Sequence, residues 1–333
     1  MSNRAVVQTF VDNGLEIVVR PKPIASPGNV VIRLTVRAVN PIDSRIIREN
    51  WLRNLADEHH YHPVIGSEGF GHITEVGEGV TKFKVNQRVV PILYWKYYLG
   101  KGEGAWQDYV EVAEEDVVHI PDNVSDDAAA QFLINPWTAY GLLSEIGVKE
   151  GEYLLQTAAA SVIGRQVIQI CKHLKIKTIN VVRRDNVIPE LKAIGADVVI
   201  NSSTEDMVSR VKELTGGKGA FAAIDAVGGI LTKSVGNSLR NGGRLFVYGT
   251  LGGPDVVLSS ADLIRDIDVK FFRLTKFVEN KRNRERVMTD IMAFMDAGVL
   301  VPYAGKKYEL TDFNAAIEES LKEARGGKVL LIG

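Results

Sequence analysis

Residues 152–174 read EYLLQTAAASVIGRQVIQICKHL, and this stretch decides the fold class. An apolar strand runs into a series of small residues and then directly into a helix whose apolar positions recur with helical spacing. That is the layout of a phosphate-binding turn, which needs a tight reversal, a backbone that can approach a pyrophosphate, and a small contact between helix and strand. Ala159, Ser161 and Gly164 occupy the spacing of the usual three glycines, and only the third is glycine. Small side chains still allow the approach, and the start of the helix supplies amide donors and a partial positive charge. A turn with no nucleotide is the alternative, and the sequence around the turn argues against it.

Downstream, KTINVVR, DNVIPELKAIG, ADVVIN, TEDMVSRVKELTGG, AFAAIDAVGG and GRLFVYGT alternate strand and helix. Repeated units of this kind predict an α/β domain, a doubly wound parallel sheet with helices on both faces, over residues 125–267. Upstream, NVVIRLTVRAVN, GHITEVG and RVVPIL are strand-like runs separated by glycine, proline and polar turns, so residues 1–124 form a strand-rich domain. After residue 268 the pattern is mixed, with a basic helical stretch KRNRERVMTDIMAFMDAG and a terminal strand KVLLIG. The segment 268–333 is therefore expected to return to the first domain, which makes the nucleotide domain an insertion.

A chain of 333 residues exceeds one usual core, in keeping with two domains. Charged residues at 24%, hydrophobic residues at 45% and a net charge of -1 fit a soluble globular protein and give no basic excess for nucleic acid. No run approaches the roughly 18 apolar residues of a membrane span, and the opening MSNRAVVQTFVDNG lacks the pattern of a leader, so a cytoplasmic location is expected. Cys171, the one cysteine, has no partner for an internal disulfide, and VIQICKHL places it on the inner face of a helix as a packed thiol.

The next strand ends in Asn180-Val-Val-Arg-Arg-Asp185, where an NAD-preferring site would carry a lone acidic residue. Arg183 and Arg184 offer fork-like donors that suit the 2'-phosphate of NADPH, the cofactor expected here. Two alternatives stand beside this reading: the arginines face solvent, or Asp185 holds the ribose hydroxyls of NADH.

Further segments carry a family likeness: AVNPIDSRII at 38–47, IGSEGFGHITEVGEGVTKFKVNQRVV at 65–90, GAWQDYVEV at 104–112, and INPWTAYGLL at 134–143. Together with QTAAASVIGRQVIQI and TINVVRRD, they make the chain resemble, end to end, the medium-chain dehydrogenase/reductase superfamily. The likeness is to its zinc-free quinone oxidoreductase and 2-enoyl thioester reductase branches, and the Asn-Pro-x-Thr-Ala-Tyr segment, AAASVIG and NVVRRD look closest to mitochondrial-type trans-2-enoyl-CoA reductases. The resemblance implies a Rossmann domain inserted into a GroES-like catalytic domain, a small-molecule substrate and a homodimer paired through an edge strand. It also implies roles for individual residues. Asn40 and Thr138 would lie near the nicotinamide, with Asn135 nearby, and Ala160, Ser161, Val162 and Ile163 would lie along the pyrophosphate. Tyr248, Gly249, Thr250 and Leu251 would follow a later strand end, Phe272 to Leu274 would cover the nicotinamide, and Lys328 would reach the cofactor. Polar groups at Asn40 and Thr138 suit the task of orienting the ring for hydride transfer.

Zinc-dependent members carry a catalytic cysteine and histidine, because zinc takes sulfur and nitrogen ligands. Where they have Gly-His-Glu, this chain has Gly66-Ser67-Glu68, and no cysteine precedes Cys171. The cluster His59, His60, Tyr61, His62 stands in a loop before Pro63, where adjacent histidines rarely converge on one ion, so no metal is expected. Reduction of an activated double bond also needs a proton and donors for the developing enolate. The tyrosine that enoyl reductases place after the motif at Asn40 falls on Trp51, whose indole cannot deliver a proton at neutral pH. Tyr61, in a segment that looks longer than in the family, is the alternative if it folds back. Asn40, Trp51 and Tyr61 are thus the catalytic candidates. The aromatic cluster Tyr94, Trp95, Tyr97 and Tyr98 reads either as a flat substrate pocket or as packing. The basic run Lys276 to Arg286 reads either as a contact for CoA phosphates or as a solvated face.

The expected function is NADPH-dependent, zinc-independent hydride transfer to a quinone or an α,β-unsaturated carbonyl or enoyl thioester. A non-catalytic NADPH-binding protein is the alternative.

Overall fold

The structure, a computed structural model, describes residues 2–10, 14–59, 61–322 and 326–333. They form two compact units, one of residues 1–134 with 301–333 and one of residues 135–300. The junctions therefore lie at 134/135 and 300/301, later in the chain than the expected 124/125 and 267/268. The reason at the second junction is pairing: strand Asp268–Phe271 lies parallel to Leu239–Val247 and extends the nucleotide-type sheet. Helix Lys281–Asp296 follows it with Val287, Ile291 and Met295 buried.

In the second unit six strands run in the order Val198–Asn201, Lys177–Val182, Tyr153–Gln156, Ala220–Asp225, Leu239–Val247 and Asp268–Phe271, all parallel. The order steps outward in one direction from Tyr153–Gln156 and then in the other from Ala220–Asp225. This is the doubly wound arrangement, whose ligands sit at the carboxyl ends of the strands where the order reverses. Central strands of such a sheet are covered on both faces, so they carry continuous apolar runs instead of alternating ones. Lys177–Val182 is buried at every position after the first. Leu155, Ile179, Ile200, Ala223 and Leu245 share one core cluster, and Ala159, Ile168, Val182 and Leu191 share a second. Cys171 lies wholly buried on helix Val162–His173, and burial pushes its thiol well above the usual range.

The first unit holds a seven-stranded sheet in the order Ala304–Glu309, Lys328–Ile332, Asn29–Ala38, Gly69–Val76, Arg88–Pro91 and Val117–His119, with Tyr109–Ala113 also paired to Asn29–Ala38. The C-terminal strand Lys328–Ile332 is antiparallel to Asn29–Ala38, which brings residue 328 next to the segment that follows Ala38. Gly66 has φ of 111°, and a Cβ there would meet the Trp106 ring at 2.3 Å, so only glycine fits the bend that starts Gly66-Ser67-Glu68. Among the described residues, no helix is long and apolar enough to cross a membrane.

Candidate active site

The first unit buries a connected set of polar side chains around Asn40. Helix Pro41–Arg48 begins just after it, with proline at the first position, where the missing N–H costs nothing. Asp43, three residues on, reaches back to accept the Asn40 N–H at 2.9 Å, one half of a capping box. Lys328 Nζ donates to Asn40 Oδ1 at 2.5 Å, which turns the amide nitrogen the other way. That nitrogen donates to Ser67 Oγ at 3.0 Å and to Glu68 Oε1 at 2.8 Å. Ser67 passes its own hydrogen to Asp43 Oδ2 at 3.1 Å. Glu68 Oε2 accepts the Leu133 and Ile134 N–H groups at 2.8 and 3.0 Å. Asn40, Asp43, Ser67 and Glu68 are completely buried, and Lys328 nearly so.

Two carboxyls in such a place do not share the same fate. Burial pushes both up, but Lys328, Asn40 and two backbone amides pull Glu68 back towards its charged form. Asp43 has Glu68 as a like-charged neighbour, and burial carries its pKa to about 7 against the pull of Asn40 and Ser67. Its Oδ1 is buried with no hydrogen-bond partner among the described residues.

In the second unit, strand Tyr153–Gln156 leads through Ala158, held at φ of 49°, to Ser161, which caps helix Val162–His173. Ser161 Oγ accepts the Gly164 N–H at 3.1 Å, and the Ser161 N–H donates to the Ala158 carbonyl at 2.9 Å. The N–H groups of Val162 and Ile163 belong to the first turn, where a helix offers them no internal acceptor. A Cβ on Gly164 would lie 2.5 Å from the Ala159 carbonyl oxygen, so helix and turn touch backbone to backbone. Tyr248 follows strand Leu239–Val247, and its buried hydroxyl lies beside the Ser161 side chain. Behind the turn, Asp225 accepts from Thr157 Oγ1 at 2.6 Å, Thr232 Oγ1 at 2.7 Å and the Val227 N–H at 2.9 Å, which fixes the residue that opens the turn.

Arg183 and Arg184 are exposed just past strand Lys177–Val182. Asp185 accepts from Asn201 Nδ2 at 2.8 Å, so its carboxylate is engaged with the neighbouring strand. Asn135 and Thr138 are buried on helix Ile134–Ile146. Gly249 approaches closely enough that a Cβ would meet the Ala226 carbonyl oxygen at 2.6 Å, whereas Leu251 is 73% exposed. Phe272 packs its ring on Gly141, where a Cβ would come within 2.6 Å, and stands 5.9 Å from the Phe277 ring centre. Leu274 is half-buried at the start of helix Leu274–Glu279.

The catalytic candidates part company. Asn40 is at the centre of the buried network. Trp51 is 42% exposed, donates its Nε1 hydrogen to Glu49 at 2.9 Å and stacks under Arg45. Tyr61 lies beside Gly102, near Glu103 and Arg20, and burial with the Glu103 charge raises its phenol. His60 and the side chain of His59 lie outside the described residues; no group of acidic, histidine or cysteine side chains suited to a metal occurs among the rest. The aromatic segment forms a π-helical turn, Tyr94–Tyr98, with Tyr94, Tyr97 and Tyr98 buried. Of the basic run, Arg286 Nε donates to Tyr140 Oη at 2.7 Å, a hydroxyl also bonded to Asp290. Asp43 and Asp225 were missed by reading the sequence. The spacing Asn40-x-x-Asp43 is a capping signal that would have flagged the first; nothing local marks the second.

A domain described as alcohol dehydrogenase GroES-like matches residues 26–122, and one described as zinc-binding dehydrogenase matches residues 162–292. The mitochondrial enoyl-[acyl-carrier-protein] reductase of Caenorhabditis elegans is 31% identical over 317 residues, 92% of this chain and 87% of that protein. The chain belongs to the medium-chain dehydrogenase/reductase superfamily, in its quinone and enoyl reductase branch. It is an oxidoreductase. Among solved structures, the reductase matches a putative NADPH:quinone reductase from Bacillus thuringiensis with a TM-score of 0.86 at 28% identity, covering 100% of this chain and 99% of that one. A mycobacterial protein complexed with NADPH matches with a TM-score of 0.82 at 26% identity, with 100% of both chains covered.

Proposed function

We propose that the reductase uses NADPH to reduce an electron-poor, carbonyl-conjugated acceptor, either a quinone or an α,β-unsaturated carbonyl such as an enoyl thioester, without a metal. The observation that carries this reading is the turn of residues 157–164, whose capped helix start leaves the Val162 and Ile163 N–H groups available, with the buried Tyr248 hydroxyl beside Ser161. These groups suit a pyrophosphate, and Ala160 and Ser161 have side chains small enough to let it approach. Arg183 and Arg184, exposed at the next strand end, suit a 2'-phosphate. With Asp185 turned to Asn201, a ribose-holding carboxylate is less available, which favours NADPH over NADH. Gly249 and Leu251 continue along the same strand ends, and Asn135, Thr138, Phe272 and Leu274 are assigned to the nicotinamide side of this unit.

When bound, NADPH supplies a hydride. The chain's own contribution is orientation and charge. Asn40 spends both amide hydrogens on Ser67 and Glu68, so its carbonyl oxygen, already held by Lys328, keeps one fixed direction. Lys328 adds a buried positive charge next to it, suited to an anion that develops on a carbonyl oxygen. Ser67 stands where zinc-dependent relatives have histidine, and its hydroxyl is taken up by Asp43. A hydroxyl so engaged is a poor zinc ligand, which supports chemistry without metal.

A homodimer is proposed through the strand Asp268–Phe271, which ends the parallel sheet; Phe271 there is 51% exposed and Ile264, just before it, 80%. Sedimentation tests it: a monomer at micromolar concentration would reject the dimer.

The test of function is NADPH oxidation against a panel of benzoquinones, enones and crotonyl-CoA, with NADH run in parallel. Turnover on at least one acceptor, faster with NADPH, is expected. Tight NADPH binding with no turnover on any of them would point to a binding protein instead, and no binding at all would reject the reading outright.

A further inference from the structure

Two strands at the middle of the parallel sheet each carry a buried amide under helix Val162–His173, where apolar side chains are the rule. Gln156 ends strand Tyr153–Gln156, Asn180 lies directly beside it in the register of strand Lys177–Val182, and both are completely buried. Gln156 Nε2 spends both hydrogens, one on Asn180 Oδ1 at 2.6 Å and one on the Gly164 carbonyl oxygen at 3.0 Å. Asn180 Nδ2 in turn donates to Thr178 Oγ1 at 2.9 Å and to the Val198 carbonyl at 2.8 Å. Thr178 Oγ1 passes its hydrogen to Asp197 Oδ2 at 3.2 Å. A carboxylate and a carbonyl only accept, so the chain of bonds runs in one direction, and the Gln156 amide cannot turn its oxygen towards Gly164. That oxygen has no hydrogen-bond partner among the described residues. An apolar pair of the same shape would avoid the cost, because replacing both partners of a buried hydrogen bond is close to neutral for stability. Stability therefore does not account for the two amides. What an apolar side chain at position 156 could not do is hold Gly164.

Gly164 is gripped at both of its polar groups. Its N–H donates to Ser161 Oγ at 3.1 Å, and its carbonyl accepts from Gln156 in addition to the bond that a helix gives a carbonyl of its first turn. Val162 and Ile163, whose N–H groups have no acceptor inside the helix, are the two residues between Ser161 and Gly164. We propose that Gln156 is a positioning residue for the pyrophosphate of the cofactor: through its bond to Gly164 it fixes the helix start that presents those two N–H groups. This rests on the NADPH reading given above. Gln156 is completely buried, so it acts through Gly164 and not by contact with the cofactor. Donors aimed in advance bind an anion without the cost of ordering them at the moment of binding. Asn180, Thr178 and the Val198 carbonyl keep the amide turned the right way. All of these residues belong to the second unit, so the device is complete within it.

The experiment compares wild type with Gln156→Met and with the double variant Gln156→Met, Asn180→Leu. Each is titrated with NADPH and with adenosine 2'-phosphate, which has the 2'-phosphate but no pyrophosphate. Methionine keeps the length of glutamine and has no hydrogen to donate. The single variant leaves Asn180 Oδ1 buried without its donor, so its Tm is expected to fall; the double variant removes both partners and is expected to regain more than half of that loss. NADPH is expected to bind about tenfold more weakly to both variants, the equivalent of one hydrogen bond to a charged phosphate, with adenosine 2'-phosphate within about twofold of wild type. With an acceptor that wild type reduces, KM for NADPH should rise in step while kcat at saturation stays within about twofold. In cofactor-free protein, hydrogen exchange should quicken in both variants at the Gly164 and Arg165 amides, which are bonded to Ser161. An NADPH Kd that returns to within twofold of wild type in the double variant, as its Tm recovers, would show that the amides serve packing alone and overturns the proposal. Equal weakening of NADPH and adenosine 2'-phosphate overturns it too, as does a double variant that does not fold. A wild type that binds NADPH, with variants that bind it equally well, rejects the role of Gln156 alone, whereas a wild type that does not bind NADPH rejects the cofactor reading itself.

Discussion

Replacing Gly164 by alanine tests the phosphate turn with a single methyl group. The added Cβ would lie 2.5 Å from the Ala159 carbonyl oxygen and 2.7 Å from its Cα, where ordinary contact begins at 3.4 Å. The helix start must therefore retreat by about 0.9 Å, because both obstacles are backbone and cannot rotate away. Overpacking of this kind costs about 1–3 kcal/mol. Alanine's better helix propensity returns about 1 kcal/mol, which leaves a net loss of up to about 2 kcal/mol. For a chain of this size that is a fall in Tm of up to about 3 °C. The larger effect falls on binding, since the Val162 and Ile163 N–H groups move with the helix. Losing one hydrogen bond to a charged phosphate costs about 1.5 kcal/mol, or about tenfold in Kd. Titration of protein fluorescence with NADPH, alongside a thermal melt, measures both. A Kd within twofold of wild type together with an unchanged or higher Tm would refute the reasoning, because it would mean that helix and strand are not in backbone contact.

Other outcomes follow from the same geometry. Removing the buried ammonium in Lys328→Met takes away its hydrogen bond to Asn40 and the charge that pulls the Glu68 carboxyl down, and is expected to cost about 1.5–3 kcal/mol in urea unfolding, with part recovered in the double variant Lys328→Met, Glu68→Gln. No recovery would mean that the two charges are not paired. Asp43 is raised in the folded state to about 7, so its contribution to stability is complete below its ordinary pKa and is lost as the pH rises through about 7; the wild-type Tm should fall across that window and that of Asp43→Asn should vary less. An identical slope in both would place the titration elsewhere. Alanine at Arg183 and Arg184 together should weaken NADPH about tenfold and leave NADH nearly unchanged, as expected for lost phosphate pairing; equal weakening of both would show that the arginines do not read the 2'-phosphate.

How much of this was legible in the sequence varies with the range of the interaction concerned. The run from Tyr153 through Gly164 to His173 and the strand and helix units behind it declared the doubly wound sheet, because hydrophobic periodicity and small residues in a turn are local properties. Gly164 was marked for close packing by its spacing, and the structure supplies the Ala159 backbone that it touches. The family likeness was equally readable from segments such as AVNPIDSRII and INPWTAYGLL. Segment 268–300 was read as part of the first domain because a short strand of mixed character carries no label for its partner; only the parallel pairing of Asp268–Phe271 with Leu239–Val247 assigns it to the second unit. The same holds for charge. Lys328 lies 288 residues from Asn40, and no pattern along the chain says that they meet, whereas antiparallel pairing of the last strand with Asn29–Ala38 brings them together. Sequence by itself determined the sheet, the turn and the family. Tertiary structure decided which carboxyls are buried and what pulls against that burial, because burial and neighbouring charge are set by residues far apart along the chain.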